Sequence, residues 1–159
     1  MSLMPRQQII QSGFTLLEVM IAIFILSIGL LGLAQLQATG LKHNESAYLR
    51  TQVSNLAADM FDRMRANHLS VQNGDYLLAA ADSPPITTAQ LVDIDLAEWI
   101  GNVNASLPES DGEISCADSN AADGFMCSAG SIFTVTIFWN EVQDDGSRGL
   151  SQFSYSAAL

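Results

Sequence analysis

Between Phe14 and Leu36 the chain passes 23 residues, FTLLEVMIAIFILSIGLLGLAQL, of which only Glu18 is charged. As a helix this run would be about 35 Å long, enough to cross the ~30 Å hydrocarbon core of a bilayer with some tilt. Beyond Gly40 the pattern becomes one-sided. Leu49, Val53, Leu56, Met60 and Met64 recur at helical spacing, Ala57 and Phe61 widen the stripe, and Arg50, Asp59, Asp62, Arg63 and Arg65 take the remaining surface. The pattern predicts one helix from Phe14 to about His68, roughly 55 residues and about 80 Å long. Its first half is apolar on every side, and its second half has one face to pack. Asp59 and Arg63 stand four apart, acid before base, which adds a few tenths of a kcal/mol.

The polar stretch from Ser70 to Thr88, with Gly74, Asp75 and Pro84-Pro85, reads as a loop holding a small apolar patch at Tyr76–Leu78. Asp95, followed three residues later by Glu98, looks like a capped helix start. Leu96, Trp99, Ile100, Val103 and Leu107 then form one apolar face, ending at Pro108, with Trp99 as a packing anchor. From Ile132 to Trp139 β-branched and aromatic residues dominate, and Phe133, Val135, Ile137 and Trp139 alternate onto one face. Asp144-Asp145-Gly146-Ser147 predicts a turn, and Leu150 with Gln152–Tyr155 a returning strand. Because a two-stranded hairpin is marginal by itself, a third strand is expected around Glu113–Ala117. The predicted class is α+β, a long N-terminal helix packed against a small antiparallel sheet.

At 159 residues with 48% hydrophobic side chains, the chain has room for one modest globular domain beside the apolar run. The net charge of −11 is unevenly spread: from Ser70 onward 13 acids face Arg148 alone. Such a polyanion repels nucleic acid, and no nucleic-acid partner is expected. Cys116 and Cys127, eleven apart in a polar segment, read as a loop-closing disulfide if that segment lies outside the cytoplasm, and as two thiols otherwise. Zinc is disfavoured, since His43 and His68 fall on the helix far from either cysteine. Asp118, Asn120, Asp123 and Gly124 outline part of a calcium loop, but Ala122 stands at its fifth position and no bidentate Glu follows. With no phosphate-binding glycine loop, no H-E-x-x-H and no nucleophile beside a base, the expectation is a non-enzyme without cofactor or metal.

Glu18 is the costly residue, since a carboxylate at the bilayer centre costs roughly 2.5 to 3.5 kcal/mol. Either it stays wet one turn from the helix end, where an acid suits the helix dipole, or a specific partner offsets that cost. Residues 1–13 form a polar leader with one base, Arg6, and the long apolar run lacks the dimensions and cleavage site of a secretory signal. Gly13-Phe14-Thr15-Leu16-Leu17-Glu18-Val19 resembles the type IV prepilin signature. The resemblance implies that prepilin peptidase cuts the Gly13–Phe14 bond and methylates the new amino terminus at Phe14. It implies too that Glu18 meets the N-terminal ammonium of a neighbouring subunit during assembly. The domains would be a leader at 1–13, a membrane and filament-core helix at 14–40 and a periplasmic head at 41–159. The chain would then be a single-pass inner-membrane protein before it joins a pilus at the cell surface. In resembling proteins the region matching Ser27–Gly32 can lose helicity inside the filament; ordinary glycine usage of membrane helices explains Gly29 and Gly32 equally well.

Ser27-Ile28-Gly29-Leu30-Leu31-Gly32-Leu33-Ala34, then Leu36-Gln37, and downstream Asp62-Arg63-Met64-Arg65-Ala66-Asn67 resemble the PilV-type minor pilins. This implies other minor pilins and the major pilin as partners, and a part in initiating or capping a type IV pilus that supports adhesion and twitching motility. A pseudopilin of a type II secretion system would share the N-terminus and the sheet pattern. A membrane-anchored periplasmic binding protein would share the acidic, loop-rich head.

Overall fold

The computed structural model describes residues 13–83, 90–120, 122–143 and 145–159. The predicted leader up to residue 12, the Pro84-Pro85 pair and Asp144 of the predicted turn lie outside the described residues. Helix α1 spans Leu16–Ala66, 51 residues. Its start is set by Thr15, whose Oγ1 accepts the Glu18 backbone N–H at 3.3 Å while its carbonyl accepts those of Glu18 and Val19 at 3.1 and 3.3 Å. A hydroxyl cap with an acid at the third helical position satisfies otherwise orphaned donors and is worth about 1 kcal/mol. The chain divides into two units, one ending at Leu41 and one beginning at Lys42.

In the first unit every described side chain is exposed, and α1 is long and apolar enough to cross a membrane. Its few hydroxyls bond within the helix: Ser27 Oγ donates to the Ile23 carbonyl at 2.7 Å and Thr39 Oγ1 to that of Gln35 at 3.1 Å. These two hydroxyls are therefore satisfied without water, as an apolar surround favours. The helix is continuous through Gly29 and Gly32.

The second unit holds the remainder of α1, helix α2 (His68–Asn73), helix α3 (Leu91–Ser106) and strands β1 (Asp111–Ala117), β2 (Ile132–Val142) and β3 (Arg148–Ala158). The three strands form one antiparallel sheet in the order β1-β2-β3. Alternation along β2 turns Phe133, Val135, Ile137 and Trp139 inward, where all four are buried with Leu49, Val53, Ala57, Met60, Phe61 and Met64 of α1. The long helix thus packs its one-sided half on the three-stranded sheet, the α+β arrangement the sequence predicts. On the outer face Thr134 meets Ser156 at 2.9 Å and Thr136 meets Ser154 at 3.0 Å, so cross-strand hydroxyl pairs take the place of apolar contacts. Trp99 of α3 and Trp139 of β2 are the largest fully buried side chains, and the Trp99 indole N–H donates to the Leu56 carbonyl at 2.9 Å. Gly112 makes room for that ring: a Cβ there would come within 2.6 Å of it.

Three details depart from the sequence expectations. The stretch from Ser70 is not wholly a loop, because α1 ends at Ala66 and α2 adds a short turn of helix. Gly74 closes α2 in the left-handed conformation (φ 81°), its N–H reaching the carbonyls of Ser70 and Val71. Helix α3 begins at Leu91, so Asp95 is no cap: it lies in the second turn, buried, and its carboxylate turns inward to other partners. β1 starts two residues early at Asp111, and β2 and β3 run three residues past their predicted ends.

Candidate functional site

Asp62-Arg63-Met64-Arg65-Ala66-Asn67, at the end of α1, is a junction in the second unit. Met64 is buried in the core. Arg63 Nε donates to Asp59 at 3.0 Å, and its Nη1 donates to Asp95 and Glu98 of α3, each at 3.1 Å. Tyr76 Oη donates to the other oxygen of Asp95 at 2.6 Å and accepts from Asn67 Nδ2 at 3.4 Å. Two side chains of the hexapeptide therefore fix α3 and the segment after α2. Burial opposes the Arg63 charge, but the hydrogen bonds to Glu98, Asp59 and Asp95 outweigh it and hold its pKa above the usual value. Burial first, and then the bond to Asp95, push Tyr76 up to about 12. Arg65 and Asp62 pair at 2.9 Å in the open, with side chains 51% and 75% exposed.

Glu141 is a second junction, with only 11% of its side chain exposed. Its Oε2 accepts from Ser46 Oγ of α1 at 3.2 Å and from the Trp139 indole at 3.3 Å, and its Oε1 accepts from Ser151 Oγ of β3 at 2.7 Å. Arg50 stands 3.9 Å away. Burial pushes the carboxyl up, while the bonds from Ser151, Trp139 and Ser46, with the Arg50 charge, pull it below the ordinary range. The sequence reading missed this residue. The signal was present, since the inward alternation of 133, 135, 137 and 139 continues to 141.

At the N-terminal end Gly13, Phe14 and Thr15 precede the first helical residue, and Phe14 is 84% exposed. A Cβ at Gly13 would meet nothing within 4 Å. Phe14, Glu18, Ala22 and Leu26 lie along one side of the segment, with Val19 and Ile23 beside them. Glu18 is the one ionisable side chain of this otherwise apolar strip. Residues 10–34 match the family model described as Prokaryotic N-terminal methylation motif. The motif is a type IV prepilin-like signal and supports a prepilin-like protein, pilin or pseudopilin, that is processed by prepilin peptidase and associated with the membrane. The family that carries this motif is a structural kind of protein. No curated protein and no solved structure matches the chain.

The second unit carries one further ordered feature, the loop after β1. Cys116 and Cys127 are joined in a disulfide, their Cα atoms 6.3 Å apart. Inside the ring, Asp118 Oδ1 accepts from the Ser128 backbone at 2.8 Å, from Ser128 Oγ at 2.7 Å and from Ser131 Oγ at 3.2 Å. All of these bonds fall on one oxygen of the carboxylate. Among the described residues no three His, Cys, Asp or Glu stand together as a metal site. The Ser128 hydroxyl, then its backbone N–H, lower the Asp118 pKa to about 2. A depressed carboxylate stabilises the fold above its unfolded value, 3.8, and that contribution is lost as pH falls towards 2. The side-chain carboxyl carbon of Asp118, followed by NMR, should therefore titrate near pH 2; a midpoint near 4 would contradict the Ser128 bonds.

Proposed function

We propose that this chain is a minor pilin of a type IV pilus. Prepilin peptidase cuts between Gly13 and Phe14 and methylates the amino terminus of Phe14. Residues 14–40 hold the chain in the inner membrane and then in the filament core. Residues 41–159 form a periplasmic head that joins sister minor pilins and the major pilin to initiate or cap the filament, in support of adhesion and twitching motility. The observation that carries this reading is the register of Gly13, Phe14 and Glu18, within the matched motif, ahead of an unbroken apolar helix.

The physics of that helix supports an exchange of lipid for other helices. Each of its large apolar side chains gains about 1.5 to 3 kcal/mol by staying out of water, so the segment leaves a bilayer only where other apolar surface replaces the lipid. Glu18 then sets the axial register by pairing with a neighbour's methylated ammonium at Phe14. The resemblance of the Ser27–Ala34 run and of Asp62–Asn67 to PilV supports the minor-pilin assignment. The methylation motif equally supports a type II secretion pseudopilin, and the neighbouring genes separate the two.

Mass spectrometry of the mature protein is expected to find a methylated Phe14 at its start, and Glu18→Ala should lower both piliation and co-purification of sister pilins. A chain starting at Met1 or Ser2 would overturn the processing claim. Unchanged piliation and pull-down in Glu18→Ala would remove that residue from the mechanism.

A further inference from the structure

The two edges of the sheet are treated differently. The outer edge of β1 is bridged at its middle by its own chain: Leu78 N–H donates to the Ile114 carbonyl at 3.1 Å, and Ile114 N–H donates to that of Leu78 at 2.8 Å. β3 has β2 on one side and, among the described residues, no strand on the other. The backbone groups facing that open edge follow from the register. Gln143 N–H donates to the Ser147 carbonyl at one end of the hairpin, and Leu159 N–H donates to that of Ser131 at the other. Both pairs continue the β2–β3 register, so the odd-numbered residues of β3 bond to β2. The N–H and C=O groups of Leu150, Gln152, Ser154, Ser156 and Ala158 point outward, one pair every ~6.8 Å.

Natural edges are guarded by lysine, proline, bulges or shortness. β3 has none of these guards: it runs for 11 residues with an unbroken register to β2, and from Gly149 to Leu159 it carries neither a charge nor a proline. Tyr155 adds a second observation. It faces inward and meets the Phe61 ring in a T-shaped contact, centroids 5.1 Å apart, yet it remains 44% exposed.

We propose that the open edge of β3 accepts an extended, neutral-to-basic segment of a different polypeptide as a fourth strand. Charge selects the occupant. Sixteen of the chain's 17 acids and five of its 6 bases lie from Lys42 onward, so a second copy would bring another −11 to the same edge. Backbone bonds supply the affinity, and an apolar residue on the inward side of the added strand covers Tyr155.

The test uses the full-length, isotope-labelled protein in a neutral detergent and a blocked ten-residue peptide of alternating Thr and Val with lysines at its ends. A second peptide, with glutamates in place of the lysines, serves as its charge control. The lysine peptide should slow hydrogen exchange at the Gln152 and Ser154 amides, and the glutamate peptide should bind more weakly. Gln152→Pro removes one outward N–H without touching the β2 ladder and should weaken binding roughly three- to tenfold, whereas Gln152→Ala should leave it unchanged. Absent protection at these amides, equal binding of the two peptides, or an unaffected proline variant would each overturn the proposal. So would protection of the same amides through self-association without peptide. Should Gln152→Pro fail to fold, exchange in the unaltered protein decides the matter.

Discussion

Replacing Gly13 with valine is expected to leave the leader attached to the mature chain. The effect should not come from the fold, because a side chain at Gly13 meets no atom within 4 Å and the helix cap begins two residues later at Thr15. What a β-branched residue would disturb is the fit of the proposed Gly13–Phe14 cleavage site in the peptidase, where a displacement of about 1 Å at the reacting atoms costs on the order of 100-fold in rate. An uncut chain would also keep thirteen extra residues, with Arg6 among them, at the end that the proposed assembly places beside other helices. Immunoblots should show only the longer form, with loss of filament incorporation. A mature form of normal mass in Gly13→Val would refute the assigned cleavage position.

The second large effect is expected at Arg63. Arg63→Ala leaves the buried Asp95, among the described residues, with the Tyr76 hydroxyl alone and releases Glu98 and Asp59, which should destabilise the second unit by about 2 to 4 kcal/mol. Arg65, two residues away in the same hexapeptide, pairs with Asp62 in the open and lies over the Phe61 ring at 5.9 Å, so Arg65→Ala should cost less than about 1 kcal/mol. Chemical denaturation of the two variants in detergent checks the contrast. Equal losses would mean that the Arg63 bonds do not hold α3.

The legible parts of the fold were those that rest on period alone. The stripe from Leu49 to Met64 and the alternation from Phe133 to Trp139 both point into the core, and only Leu56 of the expected stripe is less than fully buried. The misreadings came where a short motif has two physical meanings. Asp95 and Glu98 have the spacing of a capping box, yet the same spacing places both acids on the face of α3 that meets Arg63. Gly74 marked a break correctly, but a left-handed glycine closes a helix as well as it opens a loop. The Thr15–Glu18 cap is also written in the sequence, as a hydroxyl three residues ahead of an acid. Long-range partners such as Asp118 with Ser131, or Ser46 with Glu141, leave no periodic trace, because nothing local dictates which distant hydroxyl a carboxylate meets.

The polar attachments at the beginning of the head have a mechanical consequence. Between Lys42 and Leu49, the first buried apolar residue of α1, the helix is held by Lys42 Nζ donating to the Gln143 carbonyl and by Ser46 donating to Glu141. Traction on the helix from its amino-terminal end would load these bonds before any core side chain. Polar bonds open over a few tenths of an ångström and re-form, whereas withdrawing Val53 or Met60 would open cavities. Under strain, the first turns of the head would therefore peel and reseat like a fastener while the hydrophobic interior stays closed.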